Sequence, residues 1–200
     1  MSSSGEREHD NYGTLLYKLA IPRTLNGTNY INTKVNLFAN LDLDWTIAVK
    51  WSGVPSCESG VPYNIFCCTL DGTWKGILFR YFSEWGANIL VGAGAFNVPD
   101  AQNNAYEYHD GSDNVVVIVK SGNKYKAFVN SANKFYNSDL EYTLDPEDAF
   151  ALPLIIGGRY NAEGTEVQYK TAFTVKDVRV YDSALEESRA IDLYNELSGN

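Results

Sequence analysis

Between Trp74 and Asp113 the chain sets aromatic rings among short amides and acids. Trp74, Tyr81, Trp85, Phe96, Tyr106 and Tyr108 are interleaved with Asn97, Asp100, Gln102, Asn103, Asn104, His109 and Asp110. That mixture suits a saccharide. A sugar ring offers an apolar C–H face to an aromatic platform and a rim of hydroxyls to amides and carboxylates. Trp74, Tyr81, Trp85, Asn103, Asn104, Tyr106, Tyr108 and Asp110 are the predicted carbohydrate contacts. The stretch from Val91 to Asn114 lacks periodicity, and long irregular loops in compact domains tend to carry function. Against this, Phe79 and Tyr81 also fit a strand core, and Asn, Asp and Gly also make ordinary turns.

Other chemistry finds less support. Asp71, Asp100, Asp110 and Asp113 could offer hard oxygen ligands, but their spacing matches no calcium loop. Solvated loop acids are the favoured reading, with calcium kept as a candidate and no cofactor required. The two histidines are His9 and His109, and no nucleophile elbow accompanies either. Cys67 and Cys68 are neighbours, so on a strand they point to opposite faces and at most one could pair with Cys57. Small apolar strand residues is the better account of that pair. There is no phosphate loop and no metal-grade Cys/His spacing. Asn26-Gly27-Thr28 is a formal glycosylation sequon, or simply a turn.

The elements that would hold these residues are mostly strands. Short apolar-alternating runs predict strands over 14–19, 28–33, 44–52, 63–69, 76–82, 87–92, 114–120, 123–130, 153–157 and 171–182. Asp71-Gly72, Ser121-Gly-Asn123 and Gly157-Gly158 supply turns, and 115–120 with 124–130 forms the firmest hairpin. In the last strand the apolar phase switches from Phe173 and Val175 to Val178 and Val180, which predicts a β-bulge at Lys176-Asp177. A capping box, Ser183 with Glu186, opens a helix whose Ala190, Leu193, Tyr194 and Leu197 share one face. Asp145-Pro-Glu-Asp148 looks like a first helical turn.

The closing segment, Thr174-Val-Lys-Asp-Val-Arg-Val-Tyr-Asp-Ser-Ala-Leu185, resembles the end of a laminin-G-like domain of the concanavalin A-like jelly-roll superfamily. Asn29–Thr33, Asp44–Trp51, Asn114–Lys120 with Lys124–Asn130, and Leu154–Gly158 are similar to that family's other strands, in its order. The resemblance covers roughly residues 25 to 197. It implies an all-β, two-sheet antiparallel jelly-roll sandwich with a short C-terminal helix. The superfamily holds glycan-binding modules, adhesion domains, viral capsid or tail domains and a few glycosidases, so fold does not choose among them. A laminarinase-type hydrolase would carry Glu-x-Asp-x-(x)-Glu on one strand, with acid and nucleophile about 5 Å apart, and this chain has no such run. The chain reads as not an enzyme.

Composition bounds the rest. The chain has 200 residues, 44% of them hydrophobic, enough for one large core. Fourteen Tyr, nine Phe and four Trp favour strands. A net charge of −9 repels phosphate backbones and anionic membranes, so no nucleic-acid partner is expected. No run is long enough for a membrane helix, and the polar first ten residues carry no signal-peptide core. Residues 1–12 read as a disordered leader or linker and 13–200 as the sandwich domain. The expected role is a non-catalytic carbohydrate-binding or adhesion module, extracellular or virion-associated, from a phage tail or receptor-binding protein or a bacterial surface protein. Its expected partner is a glycan or polysaccharide, for example on a host cell surface, with an oligomer in the virion setting. The alternative is a structural or decoration domain that contacts protein.

Overall fold

The structure, a computed structural model, describes residues 8–19, 21–53, 62–72, 76–82, 86–91, 94–97, 113–130, 135–141 and 152–199. The first strands are β1 (Leu15–Lys18), β2 (Arg23–Asn26), β3 (Ile31–Asn32), β4 (Trp45–Ser52) and β5 (Tyr63–Cys67). The middle of the chain gives β6 (Ile77–Phe82), β7 (Gly86–Val91), β8 (Gly94–Asn97), β9 (Asn114–Ser121), β10 (Lys124–Val129) and β11 (Phe135–Glu141). The end gives β12 (Ile155–Ile156), β13 (Arg159–Tyr160), β14 (Val167–Gln168), β15 (Ala172–Tyr181) and the helix α1 (Glu187–Ser198). These form the expected all-β antiparallel sandwich with a short C-terminal helix.

One sheet runs β1-β15-β4-β9-β10-β11, with β2 continuing the edge of β15 beside β1. The other runs β3-β12-β5-β6-β7-β8. Period-two alternation decides what each strand buries. Trp45, Ile47, Val49 and Trp51 of β4 point inward and meet Ile65 and Phe66 of β5 and Ile77, Phe79 and Tyr81 of β6. Trp51 packs edge-on to Phe79 at 5.8 Å between ring centroids, and Phe66 stacks on Phe79 at 5.5 Å. Aromatic geometry of this kind adds to area burial in fixing the two sheets together.

The predicted bulge is present: β15 pairs Val175 with Trp51 and then Asp177 with Lys50, leaving Lys176 extra. It keeps Phe173, Val175, Val178 and Val180 all in the core across the slip. The helix buries Ala190, Leu193, Tyr194 and Leu197 as its periodicity requires. It packs on the outer face of the first sheet, over Ala48, Val115, Val117, Val119, Phe128 and Tyr181.

The predicted capping box does not form. The N-cap is Glu186, and no side chain caps the helix. Thr46 of β4 takes over the entry turn: its hydroxyl donates to the Ser183 carbonyl at 2.8 Å and accepts from the Leu185 N–H at 3.0 Å. The part of the expected leader that is described, from Glu8 on, is tied to the sandwich. Tyr181 donates its hydroxyl to Asp10 at 2.8 Å, and Leu15 N–H donates to the Glu8 carbonyl at 2.8 Å. The Asp145–Asp148 turn lies outside the described residues.

Candidate functional site

Of the eight predicted sugar contacts, Trp74, Trp85, Asn103, Asn104, Tyr106, Tyr108 and Asp110 lie outside the described residues. Tyr81 is described, and it belongs to the core. It is 2% exposed, with its ring 6.2 Å from Trp51 and 5.6 Å from Phe79. Its parity with Ile77 and Phe79 on β6 turns it inward, away from any ligand.

Two of the four calcium candidates are already neutralised. Asp71 pairs with Arg159 at 2.9 Å, and Asp113 with Lys50 at 3.1 Å and with Lys176. Among the described residues no cluster of three His, Cys, Asp or Glu could hold a metal ion. Asp100 and Asp110 lie outside them. Cys67 and Cys68 are free, buried and on opposite faces. Burial pushes the Cys67 thiol up to about 11 and Cys68 higher still, so neither is a ready thiolate. His109 is outside the described residues, and His9 bridges to Thr14 at the start of the sandwich.

What the described residues do bring together is a polar corner on the second sheet. The outward positions of β5 and β6 carry Asn64, Cys67, Leu78 and Arg80, and the β13–β14 ribbon lies beside them. Gly157, which leads into the ribbon, packs against Leu25 of β2 in the core. Its φ is +85°, and a Cβ there would collide with the side chain of Leu25. The next residues place the Arg159 side chain, 6% exposed, against Asp71. Burial and the nearby charge of Arg159 lower the Arg80 guanidinium to about 10.

The ribbon returns to β15 through Tyr169, Lys170 and Thr171. Tyr169 takes a left-handed φ of +47°, which costs an L-residue with a Cβ about 1–2 kcal/mol. Hydrogen bonds hold it there. Asn64 Nδ2 donates to the Tyr169 carbonyl at 3.1 Å, Asn64 N–H donates to Thr171 Oγ1 at 3.1 Å, and Thr171 N–H donates to the Gly157 carbonyl at 3.1 Å. The Tyr169 ring stays 48% exposed, with the Arg159 guanidinium 4.6 Å from its centroid. Beside it opens a cavity of about 250 Å³ lined by Gly27, Pro62, Tyr63, Tyr169, Lys170 and neighbours. Lys170 Nζ sits 5.8 Å from the ring centroid of Tyr30, itself 39% exposed.

A second hollow, of about 210 Å³, lies between Leu16, Leu37, Leu43, Asp44 and Asp182. Its wall is braced by the buried Lys120, whose Nζ donates to the Leu41 and Leu43 carbonyls at 3.0 and 2.8 Å. Burial lowers that ammonium below its ordinary value. Trp45 also lines it, but that ring is almost wholly buried, so the hollow suits a sugar less well than the Tyr169 corner.

No family profile matches the chain, and neither does any curated protein sequence. Solved structures do match in shape. A CBM40 module of the Ruminococcus gnavus IT-sialidase, bound to α2,3-sialyllactose, superposes with a TM-score of 0.55 at 15% identity, over 90% of this chain and 98% of that one. Trypanosoma rangeli sialidase in complex with 2,3-difluorosialic acid gives 0.54 at 15% identity, over 80% of this chain and 24% of that one. A Trypanosoma rangeli sialidase mutant displaying trans-sialidase activity gives 0.55 at 14%, over 100% and 32%. The chain thus spans about a quarter to a third of the length of those sialidases, and nearly the whole of the binding module. At such identities the likeness is one of fold: this chain has the β-sandwich architecture found in a sialidase-associated binding module.

Proposed function

We propose that this chain is a non-catalytic carbohydrate-binding module. The observation that carries the reading is the match in shape to the Ruminococcus gnavus CBM40 module over almost the full length of both chains. The far partial coverage of the sialidases fits a unit that accompanies a catalytic domain rather than one that supplies it. A sialylated glycan is the first ligand class to test, because sialyllactose is what that neighbour holds. Exposed large hydrophobic side chains among the described residues include Tyr30 and Tyr169, rings able to stack on a sugar. A place in the concanavalin A-like superfamily, in a phage tail or bacterial surface protein, and outside the cell belongs to the same proposal. So does sugar contact by Trp74, Trp85, Asn103, Asn104, Tyr106, Tyr108 and Asp110.

The test is a glycan-array screen of the purified protein, run with calcium and again with chelator. Binding to a defined class of glycans is expected. A blank on both runs from folded protein would sink the reading and leave the protein-contact role. Trp85→Ala and Tyr108→Ala should remove retention with little change in melting temperature. A fall in stability of about 3–5 kcal/mol would place those rings in the core instead.

A further inference from the structure

We infer that the Tyr169–Lys170 corner is itself a saccharide-contact site, and that it takes a ring carrying an acidic group such as a carboxylate or sulfate. The inference rests on the carbohydrate reading above but not on sugar contact by Trp74, Trp85, Asn103, Asn104, Tyr106, Tyr108 or Asp110.

Four independent features converge on it. The first is the backbone. Tyr is a poor choice for a left-handed φ, since Gly or Asn would hold the turn without the Cβ penalty. Strain of this sort persists where the surroundings enforce it, and it collects at ligand sites. Here the surroundings are the Asn64 and Thr171 hydrogen bonds, which fix the corner before any ligand arrives. A ring held in place in advance loses less entropy on binding than a free one.

The second feature is the ring's surroundings. Arg159 lies against Tyr169, and Arg159 is buried and paired with Asp71, so this cation is a rigid support. Sealing Arg159 would explain a Tyr here, yet about half of the residue's surface stays in solvent. The third feature is the adjoining cavity, about 250 Å³, with Tyr63 on its wall. Ligand clefts usually run from about 300 to 1,000 Å³, so this one suits a single sugar ring.

The fourth feature is charge. The chain carries 25 acids against 16 Lys and Arg, yet Lys170 has no carboxylate partner among the described residues. Lys170 lines the cavity, and its ammonium lies 5.8 Å from the centroid of the Tyr30 ring. A cation without a carboxylate partner among the described residues, beside the exposed Tyr30 and next in sequence to Tyr169, favours an anionic ligand group over a hydroxyl alone. A sialic acid and a sulfated sugar offer that group in different forms.

The experiment is calorimetric titration of the full chain with 3′-sialyllactose, 3′-sulfolactose and lactose, for the natural protein and for Tyr169→Ala, Tyr169→Phe and Lys170→Gln. Tyr169→Ala should weaken binding at least about tenfold, and Tyr169→Phe should keep it within about twofold, because the ring face and not the hydroxyl makes the contact. Lys170→Gln should weaken only the acidic sugars and flatten the dependence of their binding on salt. The sialylated and sulfated arms show which acid the corner prefers. Binding that is intact in both Tyr169→Ala and Lys170→Gln overturns this site while leaving the carbohydrate reading in place. Equal affinity for lactose and the acidic sugars overturns the acidic preference. If the natural protein binds none of the three sugars and is blank on the array, the carbohydrate reading itself falls and takes this site with it. Melting curves of each variant separate lost contact from lost fold, and Tyr169→Gly adds a check. It relieves the left-handed strain and should melt close to the natural chain while binding no better than Tyr169→Ala.

Discussion

The two outer faces of the sandwich are finished in different ways. On the first sheet, Ala48, Val117, Val119 and Phe128 point away from the core and would meet water, but Leu193, Tyr194 and Leu197 of the terminal helix cover them. On the second sheet the outward cluster among the described residues is Cys67, Leu78, Ile155 and Tyr160, and around it stand Asn64, Arg80, Arg159 and Asp71. The dry face stabilises by removing apolar area from water. The polar face buries charge and hydrogen-bonding groups, which contributes little net stability but fixes side chains in place. Among the described residues, the larger apolar cover lies on the first sheet, and the second sheet's outward side is dominated by polar and charged groups.

That contrast makes unequal predictions. Leu193→Ala removes a fully buried side chain from the middle of the helix contact, so it should cost about 2–5 kcal/mol in urea unfolding. Sugar binding by whatever protein remains folded should be unchanged. Asp71→Ala strikes the polar face by removing the 2.9 Å ion pair between Asp71 and Arg159. Asp71 is partly exposed, so water can replace some of what is lost, and about 1–3 kcal/mol is expected. Affinity should also drop, because Arg159 props the Tyr169 ring. An Asp71→Ala cost as large as that of Leu193→Ala, with affinity untouched, would erase the distinction between the faces.

The dry face was the legible one. Its strands alternate cleanly, its bulge shows as a change of apolar phase between Val175 and Val178, and its helix shows an i, i+3, i+4, i+7 pattern from Ala190 to Leu197. Each of those signals comes from burial of a repeating stripe. The polar corner has no stripe. β13 and β14 are two residues each, and β2 reads Arg-Thr-Leu-Asn, with a single buried side chain. Nothing in the type of Tyr169 announces a left-handed backbone, since that conformation is held by hydrogen bonds to Asn64 of β5, more than a hundred residues earlier, and by Thr171 of the same loop. The missing helix cap has the same cause: Ser183 and Glu186 have the right spacing, and Thr46, over a hundred residues earlier, supplies the hydrogen bonds instead. Tyr81 was readable either way. Its ring type suited a sugar platform, and its parity on β6, which decides, put it inside.

The finest test lies where the dry face runs out. Just before β9 begins, Asp113 stands between Lys50 of β4 and Lys176 at the bulge. Burial alone would raise its carboxyl. The two ammonium groups outweigh that and hold it below the ordinary carboxylate value. A carboxyl whose folded value lies below its unfolded one, about 3.9, stabilises the fold above that pH. The contribution is lost as pH falls through the depressed folded value. Asp113→Asn should therefore lower the melting temperature slightly at pH 7 and not at all once both values are passed, so the two melting curves converge below about pH 4. The effect should also shrink with added salt, because the group is partly open to solvent. A deficit that stays constant from pH 7 to pH 3 would mean that Asp113 acts by packing or by its hydrogen bonds alone. Charge would then play no part in finishing that end of the first sheet.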